Sequence, residues 1–222
     1  VGDWEELARR AQERYEDGAS RLPSEPDERQ RQLTRMGNAA WAAGLCLLMA
    51  AREDEAAAWL VQAAETYRRS FADAPPGSWG RPIGAMKSRL IARDRDGALE
   101  DARWALDVGA AESASPIGRY AATLARLVRG EDEAAASLAA SIVDVEAIPA
   151  PVVDALSALA AHAEADYAEA IAALVANFEA RTDFLEDVPV ADTVLALQAL
   201  ARERDIGVAL ESRLLPDGRC AR

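Results

Sequence analysis

The chain has 222 residues, half of them apolar and 52 of them alanine; 38 Asp and Glu against 25 Lys and Arg give a net charge of −13, with Lys87 the single lysine. That length suits one domain with a real core, and abundant alanine with only 5% aromatics suits close-packed helices rather than a β-sandwich. The composition is too apolar for disorder and too acidic for a general nucleic-acid binder.

In chain order, a helix is predicted over Trp4–Arg21, followed by a proline-bearing link, Leu22–Pro26. The uncharged run Met36–Ala51 spans 16 residues and contains Gly37, Asn38 and Gly44. A bilayer needs about 20 apolar residues, so this run predicts a buried helix and no membrane partner. Cys46 inside it and Cys220 near the end do not form a disulfide framework. The opening Val-Gly-Asp-Trp-Glu-Glu lacks a basic region followed by an apolar stretch, so no secretory signal is expected and the cytoplasm is the expected setting.

An internal repeat follows. The tripeptide Asp-x-Ala recurs at Asp54, Asp96, Asp132 and Asp166, with a degenerate copy at Asp205, at spacings of 42, 36, 34 and 39 residues. Each Asp is expected to cap a helix by accepting a first-turn N–H, and the small residue two places on lets that helix approach its predecessor closely. The predicted unit is a helix hairpin. First helices fall near Arg31–Arg52, Pro82–Arg93, Pro116–Gly130, Pro151–Ala163 and Pro189–Arg204, four of them starting at proline. Second helices fall near Asp54–Phe71, Asp96–Val108, Asp132–Val145 and Asp166–Arg181, with a short weak one from Ile206. The prediction is a single all-α domain over 1–222: a capping helix and link in 1–30, about five irregular antiparallel hairpins in 31–216, stacked as a compact right-handed solenoid or bundle, and a tail in 217–222.

Asp166-Tyr167-Ala168-Glu169-Ala170-Ile171 resembles the start of the second helix of a tetratricopeptide repeat, and Trp41-Ala-Ala-Gly44-Leu45 echoes part of its first. A narrower resemblance, to the immunity protein 49 family of bacterial polymorphic toxin systems, lies in three features. These are Ser78-Trp79-Gly80-Arg81-Pro82-Ile83-Gly84-Ala85-Met86-Lys87, a hairpin with Asp-x-Ala, and Phe184-Leu185-Glu186-Asp187-Val188-Pro189 leading into Leu195-Ala196-Leu197. The first resemblance implies a helical repeat that binds proteins; the second implies a protein that neutralises a cognate toxin.

Charge is unevenly placed. Residues 1–70 carry a net −3, residues 71–130 a net +2 and residues 131–222 a net −12; between 131 and 192, 14 acids face one cation, Arg181. One explanation is a salt-adapted surface in a halophilic or GC-rich prokaryote, and the other is an acidic lobe that docks a basic partner or mimics nucleic acid toward a nuclease toxin.

Catalytic and cofactor motifs are lacking: there is no phosphate-binding loop, dinucleotide fingerprint or nucleophile elbow. His162, the sole histidine, suits a helix C-terminus and has no companion ligands for zinc. No cofactor, metal or enzymatic activity is expected. The long link Ala74–Gly84 sets Trp79 and Arg81 among prolines and glycines, and a second link holds Phe184 among acids. Trp with Arg is the usual pairing of an interface hot spot, although Trp79 would equally plug a gap between hairpins. Trp79, Arg81, Lys87, Arg89, Asp183, Glu186 and Asp187 are therefore the candidate partner-binding residues. The expected function is non-enzymatic protein binding, as an immunity protein or as a tetratricopeptide-like scaffold with no toxin link; self-association is left open.

Overall fold

The computed structural model describes residues 3–142 and 147–217, and among them the chain forms ten α-helices and no strand. They are α1 (Trp4–Ser20), α2 (Pro26–Met49), α3 (Glu53–Phe71), α4 (Gly80–Ala92), α5 (Arg95–Asp107), α6 (Pro116–Val128), α7 (Asp132–Ala139), α8 (Ala150–Ala161), α9 (Glu164–Glu179) and α10 (Asp192–Arg202). A 3₁₀ turn, Leu185–Asp187, precedes α10. No described helix is long and apolar enough to cross a membrane.

Prolines at the start of α2 and α6 cost no helical hydrogen bond there. Asp3, Asp94 and Ser115 cap α1, α5 and α6 through their side chains. The repeated aspartates do not take the capping role expected of them. Asp54, Asp96, Asp132 and Asp166 lie within the first turns of α3, α5, α7 and α9. There their charge still opposes the positive end of the helix dipole.

One structural device recurs at the hairpin turns. Ala51, Arg93, Gly130 and His162 each adopt a left-handed backbone, with φ of 58°, 61°, 72° and 51°, between the two helices of a pair. The joints are two or three residues long, and such short links turn the chain back beside itself. Each helix from α1 to α8 packs on its successor, while α4 meets α6, α6 meets α8, α8 meets α10, and α10 returns to α4. Four helices thus close a circuit, whose core holds Met86, Ile91, Leu124, Leu127, Leu156, Leu159, Val194 and Leu197, all buried.

The fifth hairpin has no second helix. Asp205 takes a left-handed backbone (φ 57°), and residues 206–215 run without regular structure, their Ile206, Leu214 and Leu215 buried. Tertiary partners replace the helical bonds: the Ala191 N–H donates to the Leu214 carbonyl at 2.9 Å, and the Gln198 amide donates to the Val208 carbonyl. α7 also stops early. The Ser141 hydroxyl donates to the Leu138 carbonyl at 2.6 Å, and Arg119 takes the Ser141 carbonyl at 2.6 Å, so side chains compete for helical acceptors. The rest of the predicted helix, residues 143–145, lies outside the described residues, as does the tail after Asp217. Nor does α10 begin at Pro189, because Val188 and Val190 are buried in extended chain before it.

Tyr167 of α9 ties α10 into the bundle. Its ring is fully buried and its hydroxyl donates to Gln198 Oε1 at 2.9 Å. Tyr167→Phe removes this donor from a buried amide oxygen and is expected to cost about 1–3 kcal/mol, read from urea unfolding. A change within error would show that the bond contributes nothing net.

Candidate functional site

The two long links singled out in the sequence meet in space. α2 supplies Thr34, Asn38 and Trp41 on one face, α3 supplies Tyr67, the turn before α4 supplies Trp79, and α4 itself supplies Arg81, Ile83 and Lys87; together they line a cleft of about 400 Å³. Leu185 from the 3₁₀ turn and Asp192 from the start of α10 close its other side. Leu185 is 53% exposed, the more exposed of two exposed large apolar residues among those described.

Close approach shapes this wall. A Cβ built on Gly37 or Gly84 would lie 2.8 Å or 2.9 Å from the Tyr67 ring, so α2 and α4 clamp that ring through their glycines. The Tyr67 hydroxyl donates to Asn38 Oδ1 at 2.9 Å, and burial pushes that phenol well above the usual tyrosine range. Accepting this bond turns the Asn38 oxygen toward Tyr67 and leaves its amide donors without a partner among the described residues.

Arg81 is held by neutral groups alone. Its Nε donates to Ser70 Oγ at 3.0 Å and Thr34 Oγ1 at 3.3 Å, and its Nη2 donates to Gln30 Oε1. No carboxylate forms an ion pair with it among the described residues, and burial lowers its pKa. Lys87 is the opposite case. Its ammonium lies 2.5 Å from Asp192 Oδ2 and donates to Thr193 Oγ1 at 2.9 Å, with both charged partners 13% exposed. This ion pair fastens α4 to α10 across the cleft.

Of the other predicted residues, Trp79 fills a gap between hairpins: it is buried, with its ring centroid 6.4 Å from that of Phe71, and offers the cleft only part of its surface. Arg89 lies outside the cleft. It donates to Asp94 at 2.6 Å and to the buried Asp101 at 3.4 Å, bonds that engage it within the fold. Burial raises the Asp101 carboxyl above the usual aspartate range, with Arg89 and Arg68 opposing the rise. Glu186 pairs with Arg14 at 3.1 Å, facing α1, and lines a neighbouring depression instead. Asp183 accepts from Thr182 at 3.0 Å and, like Asp187, is exposed beyond the cleft's rim. Thr34, Asn38, Tyr67, Leu185 and Asp192 also line the cleft, and the sequence pattern does not mark them as site residues. The spacing of Thr34, Asn38 and Trp41 along one helical face was the available signal, and it reads equally as core.

No protein-family model, curated protein or solved structure matches the chain. Among the described residues, no group of three or more His, Cys, Asp or Glu is placed to hold a metal ion. His162 sits at the end of α8, where its Nε2 lies 2.8 Å from Asp132 Oδ2. A second surface feature lies in the acidic third: Asp154, Asp166 and Glu169 line a groove of about 460 Å³ between α8 and α9, over Ala158, Ala161, Ala170 and Ala173. These three carboxylates form no ion pair among the described residues.

Proposed function

We propose that the chain is a non-enzymatic protein-binding protein and, in its most specific form, an immunity protein that neutralises a toxin by covering it. The observation that carries this reading is the convergence of two long links, residues 72–79 with the first turn of α4 behind them and residues 180–191, on one cleft with exposed Leu185 at its mouth. Irregular links presented by a rigid helical frame are where binding residues concentrate. An apolar contact beside a half-buried arginine is the composition of an interface centre.

Stacked hairpins with a common left-handed joint support a distant helical-repeat relationship of the tetratricopeptide kind. A peptide-receiving scaffold needs an open concave channel, and the circuit of α4, α6, α8 and α10 argues against one. The carboxylates of the α8–α9 groove, in no ion pair among the described residues, give the same molecule a second, oppositely charged face.

The test is co-expression with a toxin encoded beside this gene. Survival should be restored, and a complex of the two chains should be recovered by size-exclusion chromatography. Unchanged killing with no complex would overturn the immunity form.

A further inference from the structure

The donors and acceptors of the cleft are out of balance. On the donor side stand Arg81 Nη1 and both Asn38 amide hydrogens, none of them hydrogen-bonded within the described residues. On the acceptor side the single carboxylate is Asp192, already taken by Lys87 and Thr193. With that pair neutral, the formal charge left in the cleft is the one on Arg81. The first turn of α4 beside it contains no acid and has no side-chain cap, so nothing there opposes an incoming negative group. The walls around these donors are Trp41, Tyr67, Trp79 and Ile83, with Leu185 at the rim.

A planar guanidinium with a free N–H edge suits a carboxylate, whose two oxygens accept parallel hydrogen bonds, and the apolar walls strengthen such a contact by excluding water. We propose that the cleft binds a carboxylate carried on a partner segment: an acidic side chain flanked by apolar residues, its oxygens on Arg81 and the Asn38 amide and its apolar neighbour against Leu185. The inference rests on the protein-binding reading and names the chemistry that this surface recognises. It places the site on the slightly basic middle of a chain whose net charge elsewhere repels acidic segments, so docking depends on these donors and not on the overall field.

The probe is the blocked peptide acetyl-Leu-Glu-Leu-amide, with acetyl-Leu-Gln-Leu-amide and inorganic phosphate as comparisons at constant ionic strength. Binding is followed by the NMR signals of the Arg81 Nε–H, the Asn38 side-chain amide and the Gly80 N–H. The Glu peptide should move these signals saturably and bind about tenfold or more tightly than the Gln peptide. Asn38→Asp keeps the oxygen that accepts from Tyr67 but replaces the free donors with negative charge, and it should abolish the shifts. Arg81→Gln should do the same; thermal unfolding of both variants checks that the fold is kept, and Asn38→Asp decides alone if Arg81→Gln does not fold.

Equal binding of the two peptides, undiminished binding to Asn38→Asp, or a response to phosphate with none to the Glu peptide would each overturn the proposal. Peptide docking without protection from a toxin would remove the immunity form and leave this site standing. Protection that survives Asn38→Asp, with no peptide docking, would do the reverse.

Discussion

Replacing Arg204 with alanine is expected to cost about 2–4 kcal/mol of folding stability, because it removes one of the two side-chain partners of the half-buried Asp132 carboxylate and the donor to two carbonyls. The Arg204 side chain, two residues past the end of α10, is 6% exposed. Its Nη2 lies 2.5 Å from Asp132 Oδ1 at the start of α7 and donates to the Leu127 carbonyl of α6 at 2.8 Å, while Nη1 reaches the Leu200 carbonyl at 3.2 Å. One guanidinium thus fastens three helices. In a protein of this size the loss corresponds to a fall in Tm of about 10 °C.

A pH dependence accompanies that loss. Burial alone would raise the Asp132 carboxyl, but hydrogen bonds from Arg204 and His162 outweigh it and hold the carboxyl below the ordinary value of 3.8. A group depressed in the folded state adds stability above its unfolded value, and that contribution disappears as pH falls through the folded value. The gap between the wild-type protein and Arg204→Ala should therefore be widest near neutrality and shrink below about pH 3.8. Urea unfolding at pH 7 and at pH 3 measures both ends. A gap independent of pH would mean that Arg204 acts through its carbonyl bonds alone.

Gly44→Leu is the second large effect expected, at about 3 kcal/mol or more. A Cβ at Gly44 would already lie 2.6 Å from Leu60 Cγ and 3.1 Å from the Ala56 carbonyl oxygen, so a longer side chain separates α2 from α3 along their contact. Gly44→Ala gains helix propensity and loses packing, for a smaller net cost of about 1–2 kcal/mol. Shortening the neighbour makes room, so Gly44→Ala combined with Leu60→Ala should be less destabilising than the sum of the single changes. Additive costs in chemical denaturation would show that the two sites do not compete for the same space.

The helices and their pairing were legible because their signals are local. Helical spacing of Leu124, Leu127 and Val128 marks a buried face, and Asp-x-Ala marks where a second helix starts. Ala56 and Ala98 are fully buried, as a close-approach residue must be, whereas Ala134 and Ala168 are only partly so; Ala135 and Tyr167 beside them take the buried places. The buried position thus does not fall at the same place in each copy of the tripeptide. The segment after Asp205 could not be read locally, because its Val208 and Leu214 carbonyls accept from Gln198 and Ala191 of another element.

The candidate site was legible in parts only. Both long links stood out by composition, and Trp79, Arg81 and Lys87 do line the cleft. That Asp192 would meet Lys87 depends on α10 returning to α4, a tertiary event with no local signature. Arg89 and Lys87 look alike in the sequence, two residues apart in one basic stretch. A two-residue step turns a helix by more than half a circle, and one side chain faces α10 while the other faces α5.

The return of α10 to α4 also sets an order of assembly. Most helix contacts join neighbours in the chain and form at little entropic cost, but the Lys87–Thr193 bond closes a loop with a sequence separation of 106 residues. During synthesis, α2, α3 and α4 are made long before Leu185 and Asp192 exist to complete the cleft. The cleft is therefore completed late, and a nascent chain that has not yet folded back on itself presents only half of it.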